Sequence, residues 1–266
     1  MMLYQRQTGF TLIELLVVMG LVGLLLGLSM PALGLARSRA RTVVCRSQLR
    51  QLVMANLGYA SEYEGCFVPA ASDLRANSRR WHGTRLHKSN PFDPNGSPLK
   101  NYLGSGAIKE CPTFKQYFRS TTWDLSYEQG CGGYGYNKTY IGSRHWDARL
   151  LGSPEEASAR TTSLEELKQP AQTLMFCDTA MAKTNRLIEY SFAEPPLIYW
   201  AGRPYETTTP SIHFRHHGDT CIGWSDGHVS RRAMGRGEGE NIYGMVSADY
   251  NLGWFSPKDN SLFDMK

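Results

Sequence analysis

The chain has 266 residues and a formal net charge of +5, with 41% hydrophobic and 20% charged residues. This composition is ordinary for a folded protein and excludes disorder over the whole length. The mean hydropathy of −0.38 excludes a transporter with many membrane spans. The basic residues form no dense block interleaved with aromatic residues, so we expect no nucleic-acid partner.

The first predicted element is an apolar helix near the N-terminus. No charged residue occurs between Leu15 and Ala36, and a helix of that length extends roughly 33 Å, enough to cross a bilayer core of about 30 Å. A secretory signal peptide has a shorter apolar core and a small-residue cleavage site, which this run lacks. A signal anchor fits the length but leaves Glu14 unexplained, because a carboxylate in a membrane segment is costly and usually has a partner.

The residues around Glu14 resemble the type IV prepilin signal. The matching stretch is Gly9-Phe10-Thr11-Leu12-Ile13-Glu14-Leu15-Leu16. The resemblance implies that a membrane peptidase cuts after Gly9 and N-methylates the new terminal Phe10. It also implies a filament in which Glu14 of one subunit pairs with the Phe10 amine of a neighbour, which would neutralise an otherwise costly buried carboxylate. The alternative is a carboxylate that reaches out from a helix end to water.

The charges around the span oppose this topology. Arg6 is the one basic residue before the span, whereas five arginines follow it, at Arg37, Arg39, Arg41, Arg46 and Arg50. The positive-inside rule alone would therefore place the C-terminal side of the span in the cytoplasm. The cleavage motif implies the reverse, because the peptidase of that family acts on the cytoplasmic face. We therefore expect a single pass through the inner membrane with a cytoplasmic N-terminus and an extracytoplasmic head, and a periplasmic or extracellular filament after assembly.

The helix is predicted to continue past the span and to stop near Gly65. Pro31 is predicted to kink the helix or to open it locally. Apolar residues beyond the span recur at spacings of three and four, which predicts a stripe that docks the helix on the head. They are Cys45, Leu49, Leu52, Val53, Leu57 and Ala60. The predicted organisation is a leader (1–9), a transmembrane or filament-core helix (10–36), its continuation on the head (37–65) and a globular head (66–266).

The head is predicted to be a mixed, mainly antiparallel fold, which makes the protein α+β. The Asp226-Gly227 pair predicts a two-residue hairpin between the last two strands. Residues 90–106 are typical of a long loop and residues 155–166 of a short surface helix. The candidate strands are 135–141, 173–177, 187–192, 198–201, 212–215, 220–225 and 228–232.

A second resemblance, to a large group of bacterial pseudopilin-like proteins, extends over the head and implies a pilin-like fold. The C-terminal part of the match is a signature in which His216 is followed, after nine residues, by Asp226-Gly227 and then by His228. The other matching positions are Cys45 to Leu52, Tyr59-Ala60, Glu64-Gly65, Cys111-Pro112, Tyr134 to Asn137, Pro170, Thr173 and Asp178.

The same signature region contains residue types that bind metals. Three nearby histidines suit zinc, whereas calcium, which some filament subunits of the family hold in the head, prefers oxygen ligands. Because these ligand sets disagree, and because Asp226-Gly227 also has an ordinary role as turn residues, the sequence assigns no metal and no cofactor. The residues in question are His213, His216, His217, Asp219, Asp226 and His228, with Asp178 from a neighbouring strand.

Six cysteines lie in the part of the chain expected outside the cytoplasm, where disulfides persist. A continuous helix would hold Cys45 and Cys66 roughly 30 Å apart, beyond the reach of a disulfide. The expected pairs are Cys111 with Cys131, which closes a short loop, and Cys177 with Cys221, if their strands are neighbours. Free buried thiols are the alternative.

The sequence contains no nucleotide-binding glycine loop, no HExxH and no GxSxG, so we expect a substrate of the prepilin peptidase rather than an enzyme. The favoured function is a structural subunit of a type IV pilus-like or type II secretion pseudopilus filament, polymerised with itself or with other pilin-like subunits. Its expected partners are then the peptidase and an inner-membrane assembly platform. The alternative function is a membrane-anchored extracytoplasmic protein whose head serves binding or adhesion.

Overall fold

The computed structural model describes residues 9–73, 76–104, 106–117, 128–147, 150, 152–200, 203–235, 237 and 239–264. The chain divides into two units, Met1–Arg41 and Thr42–Lys266. One long helix, α1 (Leu12–Glu62), begins in the first unit and ends in the second. Apart from Gly9, the predicted leader lies outside the described residues, as does Arg6.

In the first unit, α1 is apolar on all sides from Leu15 to Ala36. Among residues 9–41, no described side chain is buried. By length and composition, α1 is the one helix in the described residues that could cross a membrane, and none of its apolar stretch is buried. The helix continues through Pro31 without interruption, and the kink at Pro31 stays a prediction.

The part of α1 in the second unit confirms the predicted stripe. Arg41, Arg46 and Arg50 stay exposed, while Leu57 is half-buried. The predicted stop is also confirmed, since Gly65 has a positive φ of 78° and its N–H donates to the Ala60 carbonyl at 2.9 Å, as in helix C-terminal motifs. The buried α1 residues are Thr42, Cys45, Leu49, Leu52, Val53, Ala55, Asn56 and Ala60.

The head adds one further α-helix, short 3₁₀ turns and short strands. The helix is α2 (Pro154–Ala159), and the 3₁₀ turns are Pro94–Gly96, Lys100–Tyr102, Phe114–Gln116, Leu164–Glu166 and Ser247–Tyr250. The strands are β1 (Arg79–Arg80), β2 (Gly83–Thr84), β3 (Tyr134–Tyr136), β4 (Leu174–Asp178), β5 (Met181–Lys183), β6 (Arg186–Ile188), β7 (Leu197–Trp200), β8 (Arg203–Glu206), β9 (Ile212–His213), β10 (Asp219–Trp224), β11 (Val229–Ala233) and β12 (Leu252–Gly253).

The central sheet has four strands in the order β11-β10-β4-β3, and every pair in it is antiparallel. The described part of the head also contains four two-stranded antiparallel ribbons: β1-β2, β5-β6, β7-β8 and β9-β12. Cys177 in β4 lies opposite Ile222 in β10 and Gly135 in β3, which sets the register. The predicted α+β, mainly antiparallel and pilin-like class is confirmed.

The two faces of the central sheet pack against different parts of the head. Met175, Phe176 and Cys221 cluster with the buried residues of α1, whereas Cys177 and Ile222 cluster with the C-terminal segment. The helix approaches the sheet closely at Gly223, where a Cβ atom would lie 2.5 Å from Cγ2 of Val53. Only glycine leaves room for α1 at this point of β10.

Several predicted strands are shorter than expected. β3 ends at Tyr136, because the Asn137 amide donates to the carbonyls of Leu174 and Phe263 and its oxygen accepts from the Tyr140 N–H. This side-chain bonding replaces the ladder that a strand through residue 141 would need. The predicted strand at 187–192 corresponds to β6, which ends at Ile188.

Two further predictions are corrected in length. The β10-β11 hairpin has a three-residue loop, not the predicted two: the Trp224 N–H donates to the His228 carbonyl, and Gly227, with a φ of 97°, donates to the Trp224 carbonyl, both at 3.0 Å. This is the turn-plus-bulge geometry of three-residue hairpins. The predicted helix over 155–166 is divided into α2 and the turn Leu164–Glu166.

Candidate functional site

The first turn of α1 is closed by its own side chains. The Glu14 carboxylate accepts from the backbone N–H and from the hydroxyl of Thr11, both at 2.8 Å. In return, the Thr11 hydroxyl accepts from the Glu14 N–H at 3.3 Å. This reciprocal pair is a capping box, which satisfies free N–H groups at a helix start. The Thr-x-x-Glu spacing of Thr11 and Glu14 is itself a capping-box pattern in the sequence, in addition to the charge of Glu14 considered above.

The capping box holds one charge at the end of an exposed apolar surface. The Glu14 carboxylate is fully exposed, and a negative charge in a first turn is favoured by the helix dipole. Phe10 and Leu12 beside it are 76% and 78% exposed. An uncovered apolar surface of this length requires lipid or other helices as its cover. The geometry therefore leaves the carboxylate available to a cation from outside the chain.

A comparison with known protein families identifies the same N-terminal segment. Residues 4–30 match the family model described as the prokaryotic N-terminal methylation motif. The chain carries this motif. It is also similar to type II secretion system core protein G of Pseudomonas aeruginosa, with 27% identity over 110 residues, which cover 38% of this chain and 77% of that protein. No solved structure matches the chain. In its motif and in this similarity, the chain resembles pilin- and pseudopilin-type proteins.

The signature in the head does not form one site. Asp226 and His228 meet at the β10-β11 loop, where their side chains pair at 2.6 Å, and His228 stacks on Trp224. Gly227 supplies the positive φ of the turn. His216 precedes β10, at the opposite end of this strand, and is 1% exposed. Residues 226–228 therefore stabilise the β10-β11 turn, whereas His216 makes its contacts at the other end of β10.

The other members of the sequence-derived His/Asp cluster also lie apart. Asp219 pairs with the Arg231 guanidinium at 3.5 Å. His213 is fully buried, its ring centre lies 5.4 Å from that of Tyr117, and neither ring nitrogen has a hydrogen-bond partner among the described residues. His217 occupies a left-handed turn with a φ of 59°. The six residues do not form a common site.

A different buried cluster forms beneath α1. The cluster consists of four buried residues whose ligating atoms lie within 4.8 Å of one another. They are Cys45 in α1, Cys111 in the loop before the turn Phe114–Gln116, Asp178 at the end of β4, and His216. The Cys45 thiol donates to Asp178 Oδ1 at 3.2 Å, and His216 Nε2 lies 3.3 Å from Asp178 Oδ2. Cys111 Sγ lies 3.9 Å from the same His216 nitrogen.

The negative charge of this cluster lies on the Asp178 carboxylate. Its partner is Arg215, whose Nε lies 3.4 Å from Oδ1, with both side chains 0% exposed. Burial alone would raise the pKa of the Asp178 carboxyl, but Arg215 and His216 outweigh it and hold the pKa at about 2. Burial raises the pKa of the Cys45 and Cys111 thiols, so both are neutral unless a cation joins them.

The predicted disulfides are not formed, and all six cysteines are free thiols. The Cys177–Cys221 pair is wrong because successive strand residues point to opposite faces: Cys221 faces α1, while Cys177 faces the C-terminal segment. The Cys111 thiol lies against Cys45 and His216, whereas Cys131 lies beside Ser191 and Glu189. The structure thus brings Cys111 to α1 rather than to Cys131.

Proposed function

We propose that this protein is a structural subunit of a type IV pilus-like or type II secretion pseudopilus filament. The observation that carries the proposal is the methylation motif over residues 4–30, which includes the start of an apolar stretch whose side chains are all exposed from residue 10 to residue 36. On this proposal, the prepilin peptidase cuts after Gly9 and methylates Phe10, and subunits polymerise through residues 10–36. The protein is a substrate of that peptidase and not itself an enzyme.

The physical chemistry of the segment supports assembly. Lipid covers the apolar side chains while the subunit is in the inner membrane, and the same segments of neighbouring subunits cover them in the filament. Glu14 is the one charged residue between Phe10 and Ala36, and a carboxylate moved into such a core needs a cation. Cleavage after Gly9 creates that cation, the Phe10 amine. Pairing of Glu14 with the amine of a neighbour would set the axial register.

The membrane orientation and the partners are part of the proposal. The N-terminus lies in the cytoplasm and the head outside it, because cleavage at Gly9 takes place on the cytoplasmic face. Before assembly, the subunit contacts the peptidase and an assembly platform in the inner membrane. Afterwards it contacts copies of itself or other pilin-like subunits.

Mass spectrometry of the protein from membrane and filament fractions tests the processing step. We expect the chain to begin at N-methylated Phe10. Gly9→Val should retain Met1 and fail to assemble, because the peptidase requires a very small residue before the cut. Gly20→Val is the matched control, since a Cβ atom at Gly20 meets nothing within 4 Å, and it should be processed normally.

Two outcomes would contradict the proposal. An intact Met1 terminus in assembled filaments would show that cleavage after Gly9 is not part of assembly. Processed protein that stays monomeric in the membrane, with no filament in electron micrographs of the native cells, would instead favour the membrane-anchored binding or adhesion protein.

A further inference from the structure

The buried cluster beneath α1 brings together four side chains from distant parts of the chain. Cys45, Cys111, Asp178 and His216 supply two sulfurs, a carboxylate and an imidazole. In a tetrahedral zinc site with bonds of about 2.0–2.3 Å, neighbouring donor atoms lie about 3.3–3.8 Å apart. The observed separations are 3.2 Å for Cys45–Asp178, 3.3 Å for Asp178–His216 and 3.9 Å for Cys111–His216. The first distance involves Asp178 Oδ1 and the second Asp178 Oδ2, and all four ligating atoms lie within 4.8 Å of one another. Small side-chain movements would bring them to the spacing of a four-coordinate site.

We propose that Cys45, Cys111, Asp178 and His216 bind one structural Zn²⁺ ion, which fastens α1 to the central sheet. On binding, the two thiols release their protons to solvent. His216, which pairs with Asp178 in the absence of metal, releases its second ring proton as well and binds as the neutral imidazole, so that every donor carries a free electron pair. Two thiolates and one carboxylate then face Zn²⁺ and the Arg215 guanidinium, and the charges of the buried group balance.

Each proposed ligand is held by a further contact, as metal ligands usually are. His216 Nδ1 lies 3.2 Å from the Thr42 hydroxyl, which leaves Nε2 for the metal. The Cys221 N–H donates to Asp178 Oδ2 at 2.8 Å, and the Tyr134 hydroxyl donates to Cys45 Sγ at 3.4 Å. These contacts orient all the donors except Cys111, whose backbone N–H is bonded to the Gly132 carbonyl at 2.9 Å.

The Arg215 guanidinium beside Asp178 has hydrogen-bond donors that are not satisfied within the described part of the chain. It is fully buried, and its Nε and Nη1 make no hydrogen bond among the described residues. A buried guanidinium normally satisfies all its donors. Thiolates at Cys45 and Cys111, both of which lie near this guanidinium, would offer it additional acceptors.

The donor set selects the metal and its role. Thiolate ligands disfavour Ca²⁺ and Mg²⁺, which take oxygen donors, and favour zinc in tetrahedral geometry. Four protein ligands close the site, which is typical of structural rather than catalytic zinc. The ion would link α1, the loop at Cys111, β4 and the turn that leads from His216 into β10. The sequence alone assigned no metal. Two of the donors proposed here, His216 and Asp178, belong to the His/Asp set considered from the sequence, whereas the two cysteines do not.

The test begins with the full-length chain, purified in mild detergent without chelators. Elemental analysis should find about one Zn²⁺ per chain. After removal of the zinc, Co²⁺ should give thiolate-to-cobalt charge-transfer bands and the visible bands of a tetrahedral ion. This spectrum needs no substitution, so it holds even where a variant fails to fold.

Substitutions then assign the ligands. Cys45→Ser and Cys111→Ser should each lower the zinc content at least about tenfold. Cys177→Ser is the matched control, because this thiol is equally buried but lies on the other face of the sheet, and it should keep its zinc. Thr42→Val should weaken zinc binding about 10–100-fold while one ion still binds at saturation.

Three results would overturn the proposal. The first is wild-type protein with neither stoichiometric zinc nor the cobalt bands, or with iron or copper in place of zinc. The second is a Cys45–Cys111 disulfide in non-reducing peptide maps of the native protein. The third is a loss of zinc in Cys177→Ser as large as that in Cys45→Ser.

Discussion

Helix α1 contains two segments with the same backbone and opposite surroundings. Residues 12–41 bury no side chain, whereas residues 42–62 bury a stripe that includes Cys45, Leu49 and Val53. The first segment is apolar on every side as far as Ala36 and then carries Arg37, Arg39 and Arg41, whereas the second is apolar on one face. A helix that is apolar all round requires a cover, which the described residues do not supply. The difference separates an exposed apolar surface from a part of the head's own core.

The largest expected effect concerns Glu14, the charge at the exposed end of α1. Glu14→Gln should still be inserted and cut after Gly9, because glutamine at this position also completes the capping box with Thr11. Loss of the charge should abolish assembly and leave processed monomer in the membrane. Cell fractionation and electron microscopy measure both. Abundant, normally ordered filaments from Glu14→Ala cells would refute the charge-pair mechanism.

A matched pair of leucines tests the contrast between the two segments directly. Leu49 is 0% exposed and Leu25 is 62% exposed. Leu49→Ala should lower the free energy of unfolding of the head by about 2–5 kcal/mol, the range for cavity-forming substitutions. Leu25→Ala should change it by less than about 0.5 kcal/mol. Denaturant unfolding in detergent, followed by tryptophan fluorescence, measures both. Equal losses would mean that the two segments share one core.

Two carboxylates extend the contrast to pH. Unlike the exposed Glu14, Glu189 is buried, and its oxygens accept from the N–H groups of Gly130 and Gly132. Burial, helped by the nearby Glu110, raises the pKa of Glu189 from 4.5 to about 7, although these N–H groups and Arg215 oppose the rise.

The folded head therefore keeps a proton on Glu189 that the unfolded chain has already released. Stability from this group is full below pH 4.5 and is lost as the pH rises towards about 7, by up to about 3 kcal/mol. Unfolding at several pH values should show this loss in the wild type relative to Glu189→Gln. The difference isolates Glu189, because the buried, neutral His82 and His213 favour the opposite trend. Parallel pH profiles would contradict the prediction.

Local sequence predicted the elements that depend on neighbouring residues. The α1 stripe follows from the helical period, its end from Gly65, and β4, β10 and β11 from apolar and β-branched runs. Predictions failed where a distant residue intervenes. β3 ends at Tyr136 because Asn137 bonds to the carbonyls of Leu174 and Phe263, and no local pattern contains that information.

The sequence by itself determined the N-terminal motif, the apolar span and the division of α1 into two segments, since each is written in consecutive residues. Only the tertiary structure decided which cysteines and acidic residues meet. Strand alternation sends Cys177 away from Cys221, and packing of α1 on the sheet brings Cys45 to Asp178 and His216. Such contacts depend on how distant segments pack, so spacing along the chain does not reveal them.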